Sequence, residues 1–93
     1  MNFLHYEYHG NQGDVIEVTL DRAANVQLLN SANFMNYKNG RKYRYWGGHI
    51  KESPCRLVIP QPGQWHLVID LGGAAGAVRA SARLIPAPTG AVS

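Results

Sequence analysis

Apolar and polar residues alternate with a period of two along most of this chain, the signature of strands with one buried face. Leu4, Tyr6 and Tyr8 alternate with His5, Glu7 and His9. Ile16, Val18 and Leu20 then alternate with Glu17 and Thr19, bounded by Gly13 and Asp21. A shorter apolar run covers Val26 to Leu29. Tyr43 and Tyr45 alternate with Lys42, Arg44 and Trp46, and Gly47-Gly48 interrupts that pattern. Cys55, Leu57 and Ile59 share a face ahead of the turn Pro60-Gln61-Pro62-Gly63. Trp65, Leu67, Ile69 and Leu71 alternate with His66, Val68 and Asp70, and the flexible turn Gly72-Gly73-Ala74-Ala75-Gly76 follows. Last, Val78, Ala80, Ala82 and Leu84 alternate with Arg79, Ser81 and Arg83.

These runs predict about seven short strands with turns roughly 8–12 residues apart, hence an all-β antiparallel sandwich or open barrel. One stretch breaks the rhythm. Ser31 to Gly40 has an N-cap candidate in Ser31 and a stop in Asn39-Gly40, while three asparagines weaken its helix propensity. It reads as one or two helical turns inserted between the third and fourth strands, or as an ordered loop. Ninety-three residues hold one core, so residues 1–85 read as a single β-sandwich domain. Residues 86–93, short, uncharged and rich in turn formers, read as a loose tail. The start MNFLHYEYHGNQGD has no basic opening and no apolar run of signal-peptide length. No apolar stretch is long enough to span a membrane. The expected location is the cytoplasm, without membrane insertion.

Charge changes the picture more through its placement than through its total of +3. Met1 to Tyr37 carries −3, Lys38 to Arg56 carries +5, and the remainder +1. The basic middle is also aromatic: Tyr37-Lys38-Asn39-Gly40-Arg41-Lys42-Tyr43-Arg44-Tyr45-Trp46. Cations among rings suit an anionic or ring-containing ligand such as a nucleotide, nucleic acid or glycan, because cations neutralise phosphates while rings stack. The ordinary alternative places Tyr43 and Tyr45 in the core and leaves Lys42 and Arg44 as a solvated face. Trp46-Gly47-Gly48-His49 reads either as a ligand platform, with Trp46 on the polar face of its strand, or as a lid over the sandwich edge.

Catalytic and metal chemistry find little support in these spacings. His66 and Asp70 share a strand face but stand roughly 13 Å apart, too far for an acid–base pair. His66 reads as a histidine satisfied at the surface or by a neighbouring strand. His5 and His9 are separated as widely, and no cysteine–histidine cluster has zinc spacing, so no metal is expected. Cys55, the lone cysteine, shares an apolar face and reads as a buried thiol. Neither glycine-rich segment has the lysine or the following helix of a phosphate loop. No cofactor and no enzymatic activity are expected.

The segments MNFLHYEY, NFMNYKNGRKYRYWGG and GQWHLVIDLGG resemble a small bacterial family, domain of unknown function 1883. Its members occur alone or joined to TIR signalling domains. The resemblance covers nearly the whole chain and implies a compact β-rich accessory module, a sensor or targeting unit in bacterial signalling or defence. It supplies no site pattern. The expected function is thus a non-catalytic binding module, with Tyr37, Arg41, Lys42, Arg44, Trp46 and His49 as ligand-binding residues. The alternative is a protein–protein or self-association module, pairing as a homodimer through an exposed edge strand.

Overall fold

In the computed structural model the described residues are 3–72 and 76–87. The middle of the expected glycine turn, 73–75, and most of the expected tail, 88–93, lie outside them. The strands are β1 (Leu4–Gly10), β2 (Val15–Leu20), β3 (Ala24–Asn30), β4 (Trp46–Ile50), β5 (Cys55–Val58), β6 (Gly63–Asp70) and β7 (Ala80–Ile85). A helix, α1 (Ser31–Lys38), lies between β3 and β4. The strands form two antiparallel sheets, ordered β1-β6-β3-β4 and β5-β2-β7. The seven-strand sandwich with one helical insertion is therefore present as the alternation implies.

The core lies between the sheets. Ile16 and Val18 from β2 face Ala24, Val26 and Leu28 from β3 and Trp65, Leu67 and Ile69 from β6, with Ile59 closing one end. Burying side chains of this kind contributes about 1.5–3 kcal/mol each and outweighs any local propensity. The period-two alternation records this inner face of each strand. On the outer face of the smaller sheet, Glu17 sits opposite both Arg56 and Arg83. It accepts from each at 2.9 Å, an ion triad centred on β2.

The larger sheet is covered on its other face as well. A second cluster of Leu29, Phe34 and Val68, with Phe3, Tyr37 and Tyr43 against it, seats α1 on β3 and β6. That is why six consecutive residues of β6, Trp65 to Asp70, are buried, and not only alternate ones.

Three local expectations need correction. The helix cap is Asn30, whose side-chain oxygen accepts from the Asn33 amide at 2.9 Å; Ser31 is already helical and its hydroxyl is used elsewhere. Residues 41–45 are not a strand, and Gly47-Gly48 do not interrupt one: β4 begins at Trp46 and contains both glycines. Gly47 has φ +125°, and a Cβ there would collide with the Val26 carbonyl oxygen, so this edge strand can pair with β3 only without a side chain. Finally, Trp46 lies opposite Leu28 and packs edge-on against Trp65 at 5.4 Å, so it belongs to the core side of β4 and not to its polar face.

Candidate functional site

Two regions carry chemistry-bearing side chains, one on each side of α1. The first is the basic turn after the helix. Backbone bonds hold it: the amides of Asn39, Gly40 and Arg41 donate to the carbonyls of Met35, Tyr37 and Asn36. The Arg44 amide donates to Asn33 Oδ1 at 2.8 Å. Tyr43 turns inward, edge-on to Tyr37 at 5.2 Å, and leaves Arg41, Lys42 and Arg44 exposed on an ordered loop. Among the described residues none of these three cations has an ion-pair partner, whereas Arg56, further along the same basic stretch, is neutralised by Glu17.

The six residues singled out in the sequence do not form one surface. Arg41, Lys42 and Arg44 cluster on the loop. Tyr37 is half-buried, and its hydroxyl donates to Asp70 Oδ2 at 2.8 Å; burial first, then this bond and the carboxylate charge, push its ionisation well above the ordinary tyrosine range. Trp46 is 43% exposed at the sheet edge but faces the core side. His49 lies on the opposite face of β4, with Nδ1 3.2 Å from Asn25 Oδ1.

The second region is the outer face of β1 and β6 beneath α1. In the register between these strands Glu7 pairs with His66, with His5 two residues away along β1. Diagonal neighbours of this kind are within reach of long side chains. His5 Nε2 lies 2.9 Å from His66 Nδ1, and His66 Nε2 lies 3.0 Å from Ser31 Oγ. A Glu7 oxygen is 3.7 Å from the same His66 Nδ1. Phe34 stacks on both rings, 4.4 Å and 6° from His66 and 4.2 Å and 21° from His5. Burial, then the neighbouring His5 and Lys38, push His66 below the ordinary histidine range, and Glu7 opposes them.

Beside this cluster, Asp70 is only 4% exposed and its carboxylate is well supplied with donors. It accepts from Asn25 Nδ2, the Gly72 amide and the Tyr37 hydroxyl, all within 2.9 Å. His66 is thus a histidine satisfied by a neighbouring strand, as its position implied. What escaped the sequence is the company it keeps. The expectation against a metal rested on spacing within one strand, whereas His5, Glu7 and His66 converge across two, their ligand atoms all within 4.8 Å of one another. His5 and His66 are 61 residues apart, and only the strand register brings them together. Their shared placement on the polar faces of two strongly alternating strands was the available signal.

No helix among the described residues is long and apolar enough to cross a membrane. No curated protein and no solved structure matches the chain significantly. A family model matches residues 1–88, and the chain belongs to that family, described as a domain of unknown function, DUF1883.

Proposed function

We propose that this domain is a non-catalytic binding module that recognises an anionic ligand through its basic turn, as an accessory unit in bacterial signalling or defence. The observation that carries the binding reading is the trio Arg41, Lys42 and Arg44, exposed without acidic partners among the described residues on a loop pinned to α1. A preorganised loop loses little conformational freedom on binding, so its charge is available for affinity. Lys38 extends the positive surface at the end of the helix, and Tyr45, exposed beside the turn, supplies a ring for stacking. In this reading Tyr37 positions the turn from beneath through Tyr43, and His49 and Trp46 flank it on the two faces of β4. The signalling or defence setting is proposed on the family resemblance alone.

The test compares the parent chain with an Arg41→Ala/Lys42→Ala/Arg44→Ala variant in fluorescence-polarisation titrations. The probes are a labelled single-stranded oligonucleotide, a labelled nucleotide and a labelled sulfated oligosaccharide. The three side chains are exposed, so the fold survives their removal. Binding should weaken at least tenfold, and for the oligonucleotide the salt dependence should flatten by about two units of slope. Unchanged affinity for every probe that binds the parent would remove the turn from consideration.

A second reading, self-association, is favoured by β4, an edge strand flanked by the exposed rings of Tyr45 and Trp46. Light scattering at increasing concentration separates the two, since only edge pairing produces a dimer that Trp46→Lys abolishes.

A further inference from the structure

We infer that His5, Glu7 and His66 form a binding site for a first-row divalent transition metal ion, independent of the basic turn. Two histidine nitrogens and a carboxylate oxygen converge, all within 4.8 Å of one another, without a fourth protein ligand among the described residues. The nitrogen separation fits. Two nitrogens each about 2.0–2.1 Å from one ion stand roughly 2.9 Å apart at a right angle and roughly 3.3 Å apart at the tetrahedral angle. His5 Nε2 and His66 Nδ1 are 2.9 Å apart. Glu7 Oε1, at 3.7 Å from His66 Nδ1, needs a small rotation to join them; its side chain is 55% exposed, and the move exchanges a long 3.4 Å bond from Gln64 Nε2. Imidazole with carboxylate suits zinc and its neighbours better than magnesium or calcium, which take oxygen ligands.

The surroundings supply what such a ligand set needs. A metal-bound histidine is oriented by a bond from its other ring nitrogen. His66 Nε2 lies 3.0 Å from Ser31 Oγ, and in the tautomer that donates Nε2–H to Ser31 the Nδ1 lone pair faces His5 and Glu7. Phe34 holds both imidazoles by stacking on them at once, fixing the angle between the two donors. His66 is buried while His5 and Glu7 are exposed, so the fourth coordination position opens outward to water or to a ligand. Three protein ligands with one open position distinguish such a site from a closed structural zinc site.

The experiment uses the untagged full chain stripped with a chelator, titrated with Zn²⁺ by calorimetry and with Co²⁺ by visible absorption. The expected result is one ion per chain, a rise of several degrees in Tm, and cobalt bands of nitrogen and oxygen ligation without a thiolate band. Removing an orienting partner typically costs about 10–100-fold in affinity, so Ser31→Ala should fall in that range and His5→Gln should exceed it. Glu7→Gln should weaken binding at least tenfold. The variant His9→Gln, at an exposed histidine of the same strand outside the trio, should bind as the parent does. His66 is buried and its replacement risks the fold, so the decisive variants are those at the exposed His5 and Glu7. Absence of binding up to millimolar zinc, a loss under tenfold in His5→Gln, or loss in the His9→Gln variant would each overturn the assignment.

Discussion

Replacing Phe34 with alanine tests how the helical insertion is held. Phe34 is the one buried residue of α1, 7% exposed, and it packs with Leu29 and Val68 while stacking on His5 and His66. A helix of eight residues does not persist alone in water, so α1 depends on this docking. Truncating a buried phenylalanine costs about 3–5 kcal/mol, and each aromatic stack contributes about 0.5–1.5 kcal/mol within that. The cluster is partly open to solvent, which places Phe34→Ala near the lower end, about 3 kcal/mol. A domain of this size has a stability on the order of 5–14 kcal/mol, so the variant should still fold while losing much of its margin. Phe34→Leu keeps most of the volume and loses the stacks, for about 1–1.5 kcal/mol. Urea denaturation measures the total, with an unchanged slope expected if the core stays intact. Hydrogen exchange should show the loss concentrated in the α1 amides while the β2 and β3 amides keep most of their protection. A cost below about 1 kcal/mol with α1 still protected would refute the idea that Phe34 anchors the helix.

Three further outcomes follow from other parts of the fold. Gly47→Ala should cost about 2–3 kcal/mol by thermal melting, because φ is +125° there and the added Cβ meets the Val26 carbonyl; a neutral result would mean that β4 does not pair with β3 at that point. The Glu17 carboxyl, held below the ordinary glutamate range by bonds from Arg56 and then Arg83, binds protons more readily in the unfolded chain. Its contribution is present above the ordinary glutamate value and is lost as pH falls through the lowered one, so the Tm gap between the parent and Glu17→Gln should close on acidification. A gap that is constant with pH would refute the ion triad. Gln27 is buried at the outer face of β3, and its Oε1 has no hydrogen-bond partner among the described residues. Gln27→Met should therefore stabilise by about 0.5–1.5 kcal/mol in urea titrations, and a loss of stability would show that the carbonyl oxygen is satisfied.

The parts of the fold legible in the sequence are those set by one strand at a time. Ile16-Val18-Leu20 and Trp65-Leu67-Ile69 mark the inner faces because burying alternate residues is a property of each strand alone. The illegible parts depend on a second element. Tyr43 and Tyr45 mimic a strand, yet Tyr43 alternates with its neighbours because it packs under α1 against Tyr37. Gly47-Gly48 reads as a break because nothing local reveals the Val26 carbonyl beside it. The basic turn was visible as a charge run, but its order comes from bonds back to the helix, including the side chain of Asn33. His66 and Asp70 occupy the positions of a solvated face, and only the docking of α1 on that face buries them.

That docking gives the outer face of the larger sheet its chemical character. Burying an unpartnered polar group costs about 1–3 kcal/mol, so an outer face carrying His66 and Asp70 under a helix needs partners for both. The two are satisfied in different ways. Asp70 accepts from Asn25, the Gly72 amide and Tyr37, three donors that tie β6 to β3, to the turn after it and to α1. His66 is bonded through Nε2 to the helix, while its Nδ1 points along the strand pair to His5 and Glu7, both exposed. The partners differ in kind: those of Asp70 are two side-chain donors and a backbone amide, whereas the Nδ1 partner of His66 is a second, exposed imidazole. At His66 one imidazole nitrogen, a second imidazole and a carboxylate instead meet where solvent can enter. The docking of α1 thus sets a buried, ring-clamped histidine against two exposed polar side chains, and that juxtaposition is what the metal titration proposed above tests.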